Sequence, residues 1–439
     1  MNVIEYPSQI DFAPFLKENP VPEAYYGLPN EVRYCKNCVI SNQKPNSAIE
    51  YKSTGVSKKK TVNFDSDGIC DPCNFAKHKS IDINWIEREK QLRELCNKYR
   101  RDDGSYDCIV PGSGGKDSVY ASHVLKNVYG MHPLTVTWAP HIFTQWGRKN
   151  FQSWIHSGLD NYLFTPNGRV QRVLTRLSTE LLFYPFQAFE IGVKFFPPKL
   201  AVMLDIPLVF YGENEAEYGN PIGDNETPIP EWSHFTSKDL GSLHLSGVPL
   251  ENLISNFGLN KQDLQPYLPI DPNRLSEKKI AIHYLGYYLK WNSKNCYEYA
   301  KRHCGFQASP YRSPGSFSNY WSIEDKLDDI NWWARRTKFG MGRASYDAAH
   351  EIRSGEIERS QGISLVNEYD HEFPERFIDE LFAYLSLNES EFPMASTMFE
   401  NPIMNRAYFL RLTDKFRSPH LWFIEKNNWK LRQPLSVTS

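Results

Sequence analysis

Tyr106-Asp107-Cys108-Ile109-Val110-Pro111-Gly112-Ser113-Gly114-Gly115-Lys116-Asp117-Ser118 decides how the rest of the chain is read. Cys108, Ile109 and Val110 form a short apolar run that predicts a buried strand. Gly112, Gly114 and Gly115 follow; they allow positive φ and leave backbone N–H groups uncovered. Val119, Ala121, Val124, Leu125 and Val128 then recur near helical spacing. A strand, a glycine turn and a helix start make a concave nest of N–H donors whose helix dipole suits phosphate, and Lys116 adds a point charge. The stretch is not a Walker A loop, because Val110 and Asp117 stand where that motif needs Gly and Ser or Thr. Nor is it G-x-G-x-x-G.

Ser113 to Ser118 does resemble, residue by residue, the S-G-G-x-D-S PP-loop of the ATP pyrophosphatases. The resemblance implies cleavage of ATP between its α and β phosphates, with AMP passing to a substrate oxygen and a nucleophile then displacing it.

Outward from the loop the pattern alternates. Asn84-Trp85-Ile86-Glu87 opens a helix with a capping-box pattern, and Trp85, Leu92, Leu95, Cys96 and Tyr99 mark its apolar stripe. Residues 133–138 read as a second strand, 162–164 as a third and 207–211 as a fourth, with helices between them. The fold class expected is α/β, a doubly wound parallel sheet, whose ligands sit at the C-terminal ends of the strands. That places the loop after Trp138 beside the nucleotide. It also makes Glu213, Glu215 and Glu217, just past the fourth strand, candidates for Mg²⁺; a solvated acidic turn explains them equally well.

Toward the N-terminus, Cys35-Lys36-Asn37-Cys38 and Cys70-Asp71-Pro72-Cys73 form C-x2-C … C-x2-C. Four thiolates from two turns suit structural Zn²⁺ and leave no open catalytic position; an iron–sulfur cluster is the lesser alternative. The Lys- and Ser-rich residues 52–60 read as an insertion in a ribbon-like hairpin. Residues 1–32, rich in Pro and aromatics, read as an extended arm on the main body.

Toward the C-terminus the reading is mainly helical. Ile280, Leu285 and Leu289 predict a helix ending at Lys290-Trp291, Asn295 and Glu298 a capping box, and Ser322 and Asp325 a cap for the next helix, with Gly305 ending the one between. Lys338 to Arg343 is a glycine-rich turn. Tyr346 to Glu368 resembles a helix-turn-helix, but its mixed Glu/Arg surface lacks the basic face of a DNA reader. The organisation expected is therefore an arm (1–32), a four-cysteine zinc module (33–83), a PP-loop ATP pyrophosphatase domain (84–235) and a mainly helical region (236–439).

Charge narrows the partners. The 439 residues carry 50 basic and 52 acidic side chains, so bulk electrostatics favours neither nucleic acid nor anionic membrane. Residues 1–20 lack a basic region followed by an apolar run, and no window approaches membrane-spanning length, so a cytoplasmic protein is expected. In that compartment eight cysteines suit metal ligands or buried thiols better than disulfides.

The four-cysteine module, the loop, Tyr211-Gly212-Glu213-Asn214, Glu217-Tyr218-Gly219, Leu285-Gly286-Tyr287-Tyr288, Lys338-Phe339-Gly340, Gly342-Arg343, Asp347-Ala348, Glu351-Ile352-Arg353 and Tyr369-Asp370 together resemble the N-acetyl sugar amidotransferases of bacterial surface-polysaccharide synthesis, the WbpG and PseA group. The likeness runs from about Arg33 to about Pro374 and departs at Pro314–Phe317, where that family more often carries Gly-Thr-Tyr. It implies adenylation of the N-acetyl oxygen of a nucleotide sugar or nonulosonic acid, then displacement of AMP by ammonia to leave an acetamidino group. Ser113, Gly114, Gly115, Lys116, Asp117 and Ser118 would hold the ATP phosphates. Lys116, Asp117 and Ser118 would carry catalysis. Glu213 and Glu217 would assist with metal or substrate, and Lys338, Arg343 and Arg353 would bind phosphate or carboxylate or else serve as helix salt bridges. No cysteine sits on a strained glycine elbow, so the ammonia is expected from a separate glutaminase. A tRNA sulfurtransferase is the second reading; it needs a reactive thiol near the ATP.

Overall fold

The computed structural model describes residues 3–19, 22–46, 50–213, 215–220 and 226–437. Five parallel strands form the central sheet: β1 (Cys108–Pro111), β2 (Pro133–Trp138), β3 (Asp160–Phe164), β4 (Leu208–Tyr211) and β5 (Ala281–Tyr284), in the order β3-β2-β1-β4-β5. The order reverses between β1 and β4, so a crevice opens where the loops after those two strands part in opposite directions.

Strand alternation explains why both faces are covered. Ile109 and Val209 point into a core with Leu134, Val136, Leu174, Leu177 and Phe195. These last three lie on α5 (Gly168–Leu182) and α6 (Gln187–Leu204). Cys108, Val110, Leu208 and Phe210 point the other way, onto Leu92 and Cys96 of α2 (Trp85–Tyr99) and Ala121, Val124 and Leu125 of α3 (Lys116–Asn127). Complete burial of one such aliphatic side chain stabilises the fold by about 1.5–3 kcal/mol.

Several sequence expectations need correction. The stretch read as a helix through Ile280 and Leu289 is edge strand β5, followed by a one-turn helix, Leu285–Tyr288. Its pairing with β4, Leu208 opposite Ala281 through Tyr211 opposite Tyr284, outweighs its helical spacing. The C-terminal part also carries an antiparallel hairpin, Trp422–Glu425 with Asn428–Leu431. The cap before α7 (Ser293–Cys304) is Asn292, whose side chain accepts from the Asn295 amide; Asn295 is itself inside the helix. Likewise α8 (Asp328–Phe339) starts later than Ser322 and Asp325 suggest. The Asp325 carboxylate instead accepts from the amides of His141 (2.7 Å), Ile142 (3.3 Å) and Leu327 (3.0 Å) and pairs with His141 Nδ1 (2.8 Å). That latch ties 323–327 to the loop after β2.

Other readings hold. Gly305 ends α7 in the left-handed region, and Gly340 does the same for α8 before α9 (Arg343–Ser354). The arm lies on the body: the Ile4 amide donates to Met398 O (2.7 Å), and Tyr6 stacks on Tyr408 at 4.8 Å. Met1 and Asn2, at its start, lie outside the described residues, as does Asn214. No helix among the described residues is long and apolar enough to cross a membrane.

Candidate active site

β1 ends at Pro111, and the chain turns through residues 112–115 before α3 begins. Of the three glycines only Gly114 has a positive φ, +86°. The other two are dictated by space rather than by backbone freedom. A Cβ on Gly112 would lie 2.1 Å from Ser118 Cβ, and one on Gly115 would lie 2.6 Å from Glu324 Oε1. Among the described residues, the amides of residues 113–118 find no protein acceptor. They converge at the positive end of the α3 dipole, which is the arrangement that binds phosphate. The Ser118 hydroxyl donates to Gly115 O (3.0 Å) and braces the turn.

Lys116 is buried. Its ammonium contacts the Asp117 carboxylate and lies 3.8 Å from the Trp321 ring centroid. Burial pulls its pKa down, but the Asp117 and Glu213 carboxylates outweigh burial and leave it above the ordinary lysine value. Asp117 Oδ1 is buried with no hydrogen-bond partner. A bare carboxylate oxygen beside a nest of free amides is a donor of the kind that a hard cation such as Mg²⁺ takes.

The loop after β4 separates its three carboxylates. Glu213 turns into the same cavity as Lys116. Burial first, then Asp117, pushes its carboxyl up to about 7, against the opposing pull of Lys116. Glu215 faces Lys194 (3.7 Å) and the Tyr284 hydroxyl (3.3 Å). Glu217 is paired with Lys79 at 2.5 Å.

The cavity that the loop opens into has a volume of about 650 Å³. Opposite the loop, α8, α9 and the segment before them contribute Trp321, Glu324, Asp328, Asn331, Asp347 and His350. Sequence reading picked out none of these for the site, except that Asp347 stood within a matched motif. Glu324 lies between Ser322 and Asp325, and the neighbouring Asp325 latch holds its segment beside Gly115. Burial raises Glu324 to about 7 and Asp328 and Asp347 to about 6. Ser316, in the segment that departs from the family pattern, donates to Asp347 and thereby supports this wall. At the far end stand Lys59, Lys194, Arg335 and Lys338, beside Phe183 and Tyr184.

The loop after Trp138 does not line this cavity; the Asp325 latch holds it against residues 323–327. Of the three cations singled out near the C-terminus, Lys338 reaches the cavity, with Nζ donating to Leu182 O at 2.7 Å. Arg343 is buried away from it, donating to Trp321 O and Ser322 O and lying near Asp328. Arg353 lines a neighbouring cavity.

Cys35, Cys38, Cys70 and Cys73 form a buried cluster whose Sγ atoms all lie within 4.8 Å of one another, able to hold a metal ion. The amides of Asn37 (3.4 Å), Cys38 (3.5 Å) and Cys70 (3.3 Å) donate to Cys35 Sγ, which favours its thiolate. Four soft donors this close suit Zn²⁺. The module forms part of the cavity wall. Lys44, just after the first knuckle, reaches Tyr218 O and lines the cavity, and α1 (Asp71–Ile81) starts at the second knuckle and carries Lys79. The remaining cysteines, Cys96, Cys108, Cys296 and Cys304, are buried, and burial raises each thiol's pKa.

Comparison with known proteins bears on the wall opposite the loop. Residues 314–435 match the family model described as LPS biosynthesis protein WbpG-like, C-terminal domain. The match takes in Trp321, Glu324, Asp328, Arg335, Lys338 and His350. The chain is also 34% identical over 79 residues to an uncharacterized protein of Methanocaldococcus jannaschii, a stretch covering 18% of this chain and 27% of that protein. The chain thus spans about a quarter of the length of that relative.

Proposed function

We propose that this chain is an ATP-dependent amidotransferase acting on the N-acetyl group of a bacterial surface sugar. The observation that carries the reading is the loop: a run of unsatisfied amides, a buried lysine and a bare Asp117 oxygen at the switch point of a parallel sheet, opening on a cavity whose far wall matches a WbpG-like domain.

The residues divide the work. The amides of residues 113–118 and Lys116 receive the β and γ phosphates; Asp117 and Glu213 would hold Mg²⁺, which would supply neutralisation of charge on the departing pyrophosphate. The acetamido oxygen forms a bond to the α phosphorus as the bond from that phosphorus to the bridging oxygen breaks, releasing pyrophosphate. Ammonia then adds to the amide carbon, the bond from carbon to the AMP oxygen breaks, and a proton is lost from nitrogen. Glu324, raised to about 7, suits that last proton. The protein contributes mainly alignment and charge stabilisation. Zn²⁺ on the four cysteines is structural.

The buried, high-pKa cysteines weigh against a tRNA sulfurtransferase, although Cys296 lies close enough to feel Asp117 and Lys116. The deciding experiment supplies ATP, ammonium and a panel of nucleotide sugars and nonulosonic acids, read by mass spectrometry. AMP, pyrophosphate and a product lighter by the exchange of oxygen for an NH group are expected. ADP as the nucleotide product would exclude the reading.

A further inference from the structure

A second cavity, of about 440 Å³, adjoins the first and shares Glu213 and His350 with it. Its walls come from α1 (Lys79), the segment before α7 (Lys290), the first residue of α7 (Ser293) and the end of α9 (Arg353). Lys116 stands at the boundary. Its ammonium lies over Trp321, which lines the first cavity, and 3.5 Å from the Ser293 hydroxyl, which lines the second.

Lys79, Lys290 and Arg353 line this second cavity together with Glu213 and Glu217. Glu217 is matched by Lys79 at 2.5 Å. Arg353 Nη1 is buried with no hydrogen-bond partner. Lys290 is exposed at the rim, with no ion pair to a described residue. His350, where the cavities meet, is held neutral by burial first and then by the fields of Arg353, Lys116, Lys44 and Lys79. With Lys79 matched by Glu217 and Lys116 by Asp117, Arg353 Nη1 and the Lys290 ammonium remain without an ion-pair partner among the described lining residues, and a planar guanidinium beside an ammonium suits a phosphate-type dianion.

We propose that the second cavity is a diphosphate subsite in which Arg353 and Lys290 grip the anion and Lys116 faces it from the loop side. The proposal rests on the ATP pyrophosphatase reading of the loop. A diphosphate reaches this place from either of two sources, the pyrophosphate cut from ATP or the diphosphate of a nucleotide sugar.

The test is calorimetric titration of the full, metal-loaded chain with inorganic pyrophosphate and, separately, with uridine diphosphate. Arg353→Gln and Lys290→Gln should each weaken one probe by about tenfold or more, the scale of a lost charge-assisted hydrogen bond. Weakening of pyrophosphate assigns the cavity to the leaving group, and weakening of uridine diphosphate assigns it to the sugar substrate. Metal content is measured on both variants. If Arg353→Gln loses metal while Lys290→Gln binds both probes like the parent, Arg353 is a counter-charge to the thiolates and the proposal fails. It fails equally if both variants bind both probes unchanged. Should Lys116→Met abolish pyrophosphate binding in that case, the loop reading survives and the subsite alone is wrong. A parent chain that binds neither probe overturns both.

Discussion

Gly114 is the residue at which the loop tolerates least. Its φ of +86° is costly for any side chain, and a Cβ there would meet the backbone of Phe151 at 2.7 Å. Gly114→Ala should therefore cost roughly 1–3 kcal/mol in chemical denaturation and abolish ATP turnover. Lys116→Met and Asp117→Asn should leave the fold nearly intact while slowing pyrophosphate release by about 10²-fold or more, measured with a coupled phosphate assay. Glu324 gives a pH signature. Its folded pKa is raised from 4.5 to about 7, so the native state holds a proton that the unfolded chain releases between those values. Stability should then fall as pH rises from 4.5 to 7 and stay low above it, by roughly 1–3 kcal/mol. Urea midpoints at pH 5 and pH 8 should differ for the ligand-free protein and differ less for Glu324→Gln.

Among the elements, the four-cysteine module and the 323–327 segment position the site from outside the sheet. Zinc analysis should return about one ion per chain, and Cys35→Ser or Cys70→Ser should lower thermal stability, since the binding energy of a structural zinc is folding energy. Because Cys70 caps α1 and that helix carries Lys79 to Glu217, loss of metal should also loosen the wall of the cavity. Chelation should accordingly expose residues 52–60 to protease faster than nucleotide protects them. The Asp325 latch is the second such device. Asp325→Ala leaves the His141 and Ile142 amides without their acceptor and should cost about 2–4 kcal/mol. Asp325→Asn, which keeps one acceptor oxygen, should recover part of that loss.

At the scale of the whole molecule the prediction concerns nitrogen. All of Cys96, Cys108, Cys296 and Cys304 are buried, and none carries the exposed, activated thiolate that glutamine hydrolysis requires. The pure chain should work with ammonium at alkaline pH and not with glutamine at neutral pH; equal rates would reveal a glutaminase site within it. What was legible beforehand is local. Ile109, Val110 and the glycines marked the strand and turn, and Cys35, Cys38, Cys70 and Cys73 marked the metal-holding cluster, because each signal depends on spacing along the chain. The wall opposite the loop was not legible. Asn331 and His350 are ordinary residues in helical sequence and Glu324 one in the segment before it, brought to the loop by packing of α8 and α9 and by a carboxylate latch nearly two hundred residues away from its partner. The edge strand β5 escaped for the same reason: four residues, Ala281-Ile282-His283-Tyr284, are too few to carry a period, and the open edge of β4 made them a strand. Chain spacing thus determined the nest of backbone amides, a single turn, and the two cysteine pairs, each a C-x2-C knuckle. Tertiary packing decided which carboxylates face that nest, because burial and proximity between distant segments have no imprint on local periodicity.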